Sequence, residues 1–405
     1  MRPRGPFPAL RPATTRSKVA EVAATAVERE HRVTPRELFF DLVFVFAFTQ
    51  VATLLAEDPT FPGVGRGVLV LAALWWAWSA YAWLTNIVDP EEGVVGVALL
   101  VALIAMFVAA LVVPGVFDDE GVLFGAAFLV VCVMHVALYA LAGRGNRDLL
   151  GAVLRLAPWS LGGATLILVA GFTDGARTWL WLAALVCTYF GAVLSGSTGW
   201  YVHASHFAER NGLVLIIALG EAFIAIGIGA TGTGIGLGEV VAAILGLLVA
   251  TSFWLAYFDF FSIRGERILG DLQGAERVAL ARDIYTYAHF PMIVGIVLFA
   301  FAMKDIVAHV GEDLDSVAAF ALCGGSAIYL LTYSAIRIRV ERRVRLSRGR
   351  FVAALVLFLL LPLAMVVPAL AALALVTAVW LALHTYELVW WREARAESRS
   401  VLASS

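Results

Sequence analysis

Twelve apolar stretches of about 20 residues, separated by charged or Gly- and Pro-containing breaks, account for most of this 405-residue chain. As a helix rising ~1.5 Å per residue, such a stretch crosses the ~30 Å hydrocarbon core of a bilayer. Helices satisfy their backbone hydrogen bonds internally, which hydrocarbon requires. The predicted spans are 36–57, 66–88, 93–115, 121–143, 150–172, 178–200, 210–231, 239–262, 281–303, 316–338, 351–367 and 370–391. Residues 351–391 form one apolar run interrupted only by Pro362 and Pro368, roughly twice a bilayer in length. A hairpin near Pro368-Ala369 is therefore expected in place of a single long helix. The expected fold is an all-α polytopic membrane protein with about 12 transmembrane helices. Composition agrees: 61% of residues are hydrophobic and 15% charged, against about 45–50% and about 25% in soluble domains. Cys132, Cys187 and Cys323 all lie in apolar runs, so they read as small buried side chains and not as a disulfide framework.

The basic residues indicate direction. With the N-terminus in the cytosol, 26 of the 29 Lys and Arg fall on the inner side, and only Arg66, Arg177 and Lys304 fall outside. The bias supports an even span count and an N-in, C-in orientation. Residues 1–33 read as a disordered cytosolic tail, with a short helix over 17–30, and 393–405 as a cytosolic C-terminal tail. No cleavable signal peptide is evident, because the first apolar run begins after a basic leader of about 35 residues.

Twice an acid is set inside an apolar run, away from the charged breaks that bound the spans. Arg36-Glu37-Leu38-Phe39-Phe40-Asp41 opens the first, and Leu219-Gly220-Glu221-Ala222 lies inside the seventh. A carboxylate in hydrocarbon costs about 2.5–3.5 kcal/mol on insertion scales, so it is usually kept for a partner, a cavity or a passing ion. Aligning Asp41 with Glu221 also brings Trp78-Ser-Ala-Tyr81 onto Trp254-Leu-Ala-Tyr257. This points to a 6+6 parallel repeat, with residues 34–200 and 201–392 as the two six-span halves and a polar site where they meet.

Several residues are candidates for that site. Glu37 and Asp41 share a helix face, Arg36 is placed to stay at the interface, and Arg155 lies at the depth of Asp41 and is its expected partner. Such a pair could equally serve only to fix helix orientation. Glu221 is about 16 Å up the helix from Arg210, near the midplane, among the small residues Ala218, Gly220, Ala222 and Ala225. It suits proton exchange or ion binding; the alternative is a neutral Glu bonding across helices. His289 precedes Pro291, where a freed carbonyl could serve an ion. His135, and His384 with Glu387, read first as structural. His203-x-x-His206-x-x-Glu209 offers metal-like types on one face, a pattern that polar residues at a membrane exit readily produce. The Trp75-Trp76-x-Trp78-x-x-Tyr81-x-Trp83 cluster reads first as packing.

The first motif, Pro35-Arg-Glu-Leu-Phe-Phe-Asp-Leu-Val-Phe-Val, resembles the opening signature of the bacterial low temperature requirement protein A (LtrA) family. His206-Phe-Ala-Glu-Arg-Asn-Gly-Leu-Val-Leu-Ile-Ile-Ala-Leu-Gly-Glu221 resembles its second signature, and Tyr287-Ala-His289 a third. The resemblance runs from about residue 33 to 391. It implies a protein of the bacterial cytoplasmic (inner) membrane linked to growth in the cold, and it brings no catalytic residue or substrate. Arg36-x-x-x-Phe40-Asp41 also resembles the Arg-x-x-x-Phe-Ser-Asp string of a family of potassium channels. Here the Ser is missing and the second half has no such string.

The absence of a GxxxxGK[ST] loop argues against an ATP-driven pump within the chain. No cofactor is implied. The basic stretch 337–350 suits inner-leaflet anchoring and not nucleic acid. The expected partners are the lipid bilayer and a small ion or solute, with room for an oligomer. The reading that follows is a secondary transporter or channel using Asp41 and Glu221. The alternatives are a membrane-embedded enzyme or lipid-handling protein using His206 and Glu209, and a structural stress protein without turnover.

Overall fold

A computed structural model describes residues 33–230, 235–341 and 347–390. The expected tails, except Val33, lie outside the described residues, as does the helix expected over 17–30. Twelve long helices follow one another: α1 (Pro35–Glu57), α2 (Phe61–Thr85), α3 (Gly93–Leu111), α4 (Gly121–Ala142), α5 (Arg147–Gly171), α6 (Arg177–Leu194), α7 (Ala204–Ala230), α8 (Leu237–Asp271), α9 (Gly274–Ala308), α10 (Ser316–Glu341), α11 (Arg348–Ala364) and α12 (Ala369–Trp390). Each matches one predicted span. Eleven are at least 18 residues long and apolar enough to cross a bilayer, and α11 has 17 residues. The chain is a multi-pass integral membrane protein in contact with lipid.

Local sequence explains the helix ends. Thr34, Pro35 and Glu37 start α1 with a reciprocal cap: Glu37 N donates to Thr34 Oγ1 at 3.3 Å, and Thr34 N donates to Glu37 Oε2 at 2.8 Å. The expected hairpin lies between α11 and α12. There Ala369 N donates to Glu312 O at 2.7 Å, tying the turn to the α9–α10 loop. α7 begins six residues earlier than hydropathy predicts, which puts Arg210 inside the helix. α8, α9 and α10 each contain a π-helical turn, at Tyr257–Phe261, Arg282–Ala288 and Phe320–Gly324.

α2 and α9 are the most enclosed of the eleven spans, and α6, followed by α5 and α12, the most outward-facing. α9 packs on α7 and α10 and reaches α1 and α2. Its crossing with α10 is very close: a Cβ on Gly295 would lie 2.6 Å from Gly325 O, and one on Gly325 would lie 2.9 Å from Gly295 O. Small residues permit that approach, and close van der Waals contact drives helix association in lipid. Outer helices turn Val97, Ile104, Leu182 and Val186 outward as lipid-facing surface.

Candidate functional site

The buried charges converge on the seam between α1 and α7. The α1 cap places Glu37 one turn before Asp41, and the early start of α7 places Arg210 opposite both. Arg210 is fully buried. Its Nη1 donates to Glu37 Oε1 at 2.8 Å and to Thr85 Oγ1 at 2.9 Å, and its Nη2 donates to Asp41 Oδ1 at 2.6 Å. Trp78 Nε1 also donates to Asp41 Oδ1, at 2.9 Å. His206, one turn before Arg210 on α7, bonds through Nε2 to Glu37 at 3.1 Å and through Nδ1 to the Asn86 amide at 3.1 Å. Asn86 in turn accepts from His203 N at 2.6 Å, which holds the chain entering α7.

Two carboxylates face one guanidinium and one imidazole, so the four groups reach zero net charge when they hold one proton among them. Low dielectric makes every such interaction strong and every unpaired group costly. Asp41 Oδ2 and Arg210 Nε are buried without a hydrogen-bond partner among the described residues. The cluster thus has capacity for a proton or a water, within a frame held by α1, α2 and α7.

A second rung lies deeper on the same seam. Thr49 Oγ1 donates to Glu221 Oε2 at 2.5 Å. Glu221 is 2% exposed and forms no ion pair among the described residues. Thr49 is eight residues beyond Asp41, and Glu221 eleven beyond Arg210, so the rungs are roughly 12–16 Å apart. Numbers rise together on both helices from one rung to the next, so α1 and α7 run parallel.

The profile of the bacterial low temperature requirement A protein (LtrA) matches residues 32–385. The chain belongs to the LtrA family. It is also 29% identical over 306 residues to an uncharacterized protein of Rhizobium meliloti, an alignment covering 73% of this chain and 74% of that one. No solved structure matches. The first LtrA motif is α1 around Glu37 and Asp41. The second is α7 from His206 to Glu221. The two motifs face each other across the seam, and their acids and bases pair with one another.

Other expectations are redirected. Arg155 is not the partner of Asp41: its Nε and Nη2 donate to the carbonyls of Ser195 and Thr198 at 3.0 and 2.7 Å, tying α5 to the chain leaving α6. α5 packs on α4 and α6, whereas α1 packs on α2, α3, α7 and α9, an order that hydropathy does not reveal. Arg36 pairs with Glu91 at 3.3 Å near the surface. Asp41 and Glu221 occupy different levels of the seam, so they are not equivalent positions of a repeat. Trp78 is buried on Asp41, whereas Trp254 is 42% exposed.

His289 of the third motif lies outside the seam. It bonds Tyr257 at 3.0 Å and the Ile284 carbonyl at 2.8 Å, joining the α8 and α9 π-turns. His203, His206 and Glu209 do not converge: His206 is held by Glu37 and Asn86, and Glu209 accepts from Val33 N at 3.4 Å. Among the described residues no three His, Cys, Asp or Glu are grouped to hold a metal. Glu387 pairs with Arg350 of α11 at 2.6 and 3.1 Å. Sequence reasoning missed Thr85 and Asn86. The available signal was two adjacent polar residues ending the aromatic-rich α2.

Proposed function

We propose that this LtrA-family protein is a secondary transporter or channel for a small ion or solute, in which Glu221 takes up and releases a proton or small cation. One observation carries the reading. Glu221 sits in mid-helix, enclosed, with a hydroxyl as its hydrogen-bond partner and no ion pair among the described residues, while the acids one rung below both pair with Arg210. A carboxyl held this way is expensive unless it exchanges its proton or binds an ion. The lower rung, from Glu37 to His206, is then the fixed electrostatic anchor of the α1–α7 seam, with capacity for one proton.

The neighbour order supports a 6+6 parallel repeat over 34–200 and 201–392. α1 packs on α2 and α3 as α7 packs on α8 and α9, and α2 meets α6 as α8 meets α12. The split of 26 basic residues against three supports N-in, C-in placement in a bacterial cytoplasmic membrane. In such a membrane an ion-coupled role would be exposed to the cold, where bilayers stiffen, in keeping with the name of the family.

The test is flux of H⁺, K⁺ and Na⁺ in proteoliposomes, for wild type beside Glu221→Gln. The expected result is flux that disappears in a variant with unchanged elution and thermal unfolding. Wild-type flux in Glu221→Gln, or no flux of any ion through folded wild type, would overturn the assignment.

A further inference from the structure

A second feature lies beside the charge cluster, at the same end of the bundle. α2, α4, α5, α6 and the first part of α9 line a half-open cleft whose empty space, open solvent included, is about 570 Å³. Its walls are rings: Trp76 and Trp83 from α2, Tyr139 from α4, Trp200 from the α6–α7 connection and Tyr287 from α9. We propose that this cavity binds a small organic acid with a planar, apolar body, its carboxylate directed to Arg282.

Three observations support it. First, the lining side chains Trp76, His135 and Tyr139 are 6%, 3% and 1% exposed, yet Trp76 Nε1, His135 Nε2 and Tyr139 OH have no hydrogen-bond partner among the described residues. Buried polar atoms are normally satisfied. An indole N–H can only donate, so any group that satisfied Trp76 Nε1 would have to accept.

Second, the floor of the cavity is the π-turn Arg282–Ala288, a geometry common at functional sites. The turn presents Thr286 to three donors: Trp75 Nε1 reaches its carbonyl at 2.7 Å, and Ser79 Oγ and Trp83 Nε1 reach its hydroxyl at 3.1 and 2.8 Å. The rings are thus held in place before anything binds.

Third, Arg282 lines the same cavity, with Nε and Nη2 on Asp283 at 3.3 and 3.0 Å. That leaves Nη1 for an acceptor. A guanidinium in the wall favours a carboxylate and repels an ammonium, so the rings serve an apolar plane and not a cation.

The cavity also communicates with the seam. Trp75 stacks on Trp78 at 5.0 Å, so one indole holds the π-turn and the next holds Asp41. Binding itself is independent of transport. Only the statement that this acid is the transported solute, exchanged together with a proton on the seam, rests on the proposed function.

The experiment is calorimetric titration of the detergent-purified full chain with 2-naphthoate, 2-naphthamide and 2-naphthylmethylammonium. The expected result is one saturable 2-naphthoate site, about tenfold tighter than for the amide, and no binding of the ammonium. Arg282→Gln should reduce naphthoate to the affinity of the amide and leave the amide unchanged. Ala192→Phe, which fills the cavity from α6, should abolish both. No saturable binding to folded protein, equal binding of the ammonium, or wild-type binding in Ala192→Phe would overturn the proposal. Binding without flux would instead overturn the transport reading and leave the site standing.

Discussion

Removing the Arg210 guanidinium is the sharpest perturbation of the α1–α7 seam. Arg210→Met keeps the bulk and deletes three hydrogen bonds, to Glu37, Asp41 and Thr85. Both carboxyls stay buried, 2% and 0% exposed, one turn apart on α1. Breaking a buried ion pair from one side costs about 3–5 kcal/mol, because an uncompensated charge stays behind. Here the lower end applies: Asp41 keeps Trp78, and Glu37 keeps His206 and Thr34. The expected loss is therefore about 3 kcal/mol, or roughly two orders of magnitude in the folded-to-unfolded ratio.

Adding Glu37→Gln and Asp41→Asn removes the stranded charge and should restore about half of that loss, since neutral polar groups can bond one another where unpaired ions cannot. The assay is equilibrium unfolding in mixed detergent micelles, followed by tryptophan fluorescence. Trp78 lies 5.8 Å from the Arg210 guanidinium and reports directly on the seam. Arg210→Met within about 0.5 kcal/mol of wild type, the usual range of neutral surface substitutions, would refute the reasoning. So would a triple variant less stable than the single one.

Arg155→Met should cost only about 1 kcal/mol, for its two carbonyl contacts, and leave the Asp41 environment unchanged in the same assay. Thr49→Val should cost about 1 kcal/mol and alter ion flux, because it removes the hydroxyl on Glu221. Gly295→Ala should destabilise the chain by about 1–3 kcal/mol in thermal unfolding, since its methyl would meet the Gly325 carbonyl. Arg350→Met should cost about 3–5 kcal/mol by stranding Glu387, and should make the α11–α12 hairpin more susceptible to protease.

The helices were legible because hydropathy is a local property. A run long and apolar enough to span lipid has no other way to satisfy its backbone, so the twelve spans, the hairpin at Pro368 and the acids within α1 and α7 could be read from the chain directly. The two long LtrA motifs could be read in the same way, and they proved to face each other. Pairing was a different matter. Whether Asp41 meets Arg155 or Arg210 depends on the rotation and crossing of helices that are 169 residues apart for the bonded pair, and no periodicity in α1 encodes it. Asn86 ends α2, and only the fold shows that the chain entering α7 packs over it.

Sequence alone thus determined that the protein spans the membrane many times and keeps acids at a cost inside the apolar runs of α1 and α7. Tertiary structure decided that those acids share one seam at two levels, the lower paired with Arg210 and the upper held by Thr49. It also decided that Trp76 and Trp83 of α2 wall a cavity, whereas Trp75 and Trp78 are buried beside it. The physical reason is that burial depth follows from position along a helix, whereas charge compensation and cavity shape depend on which faces meet. That is settled by the packing of the whole bundle.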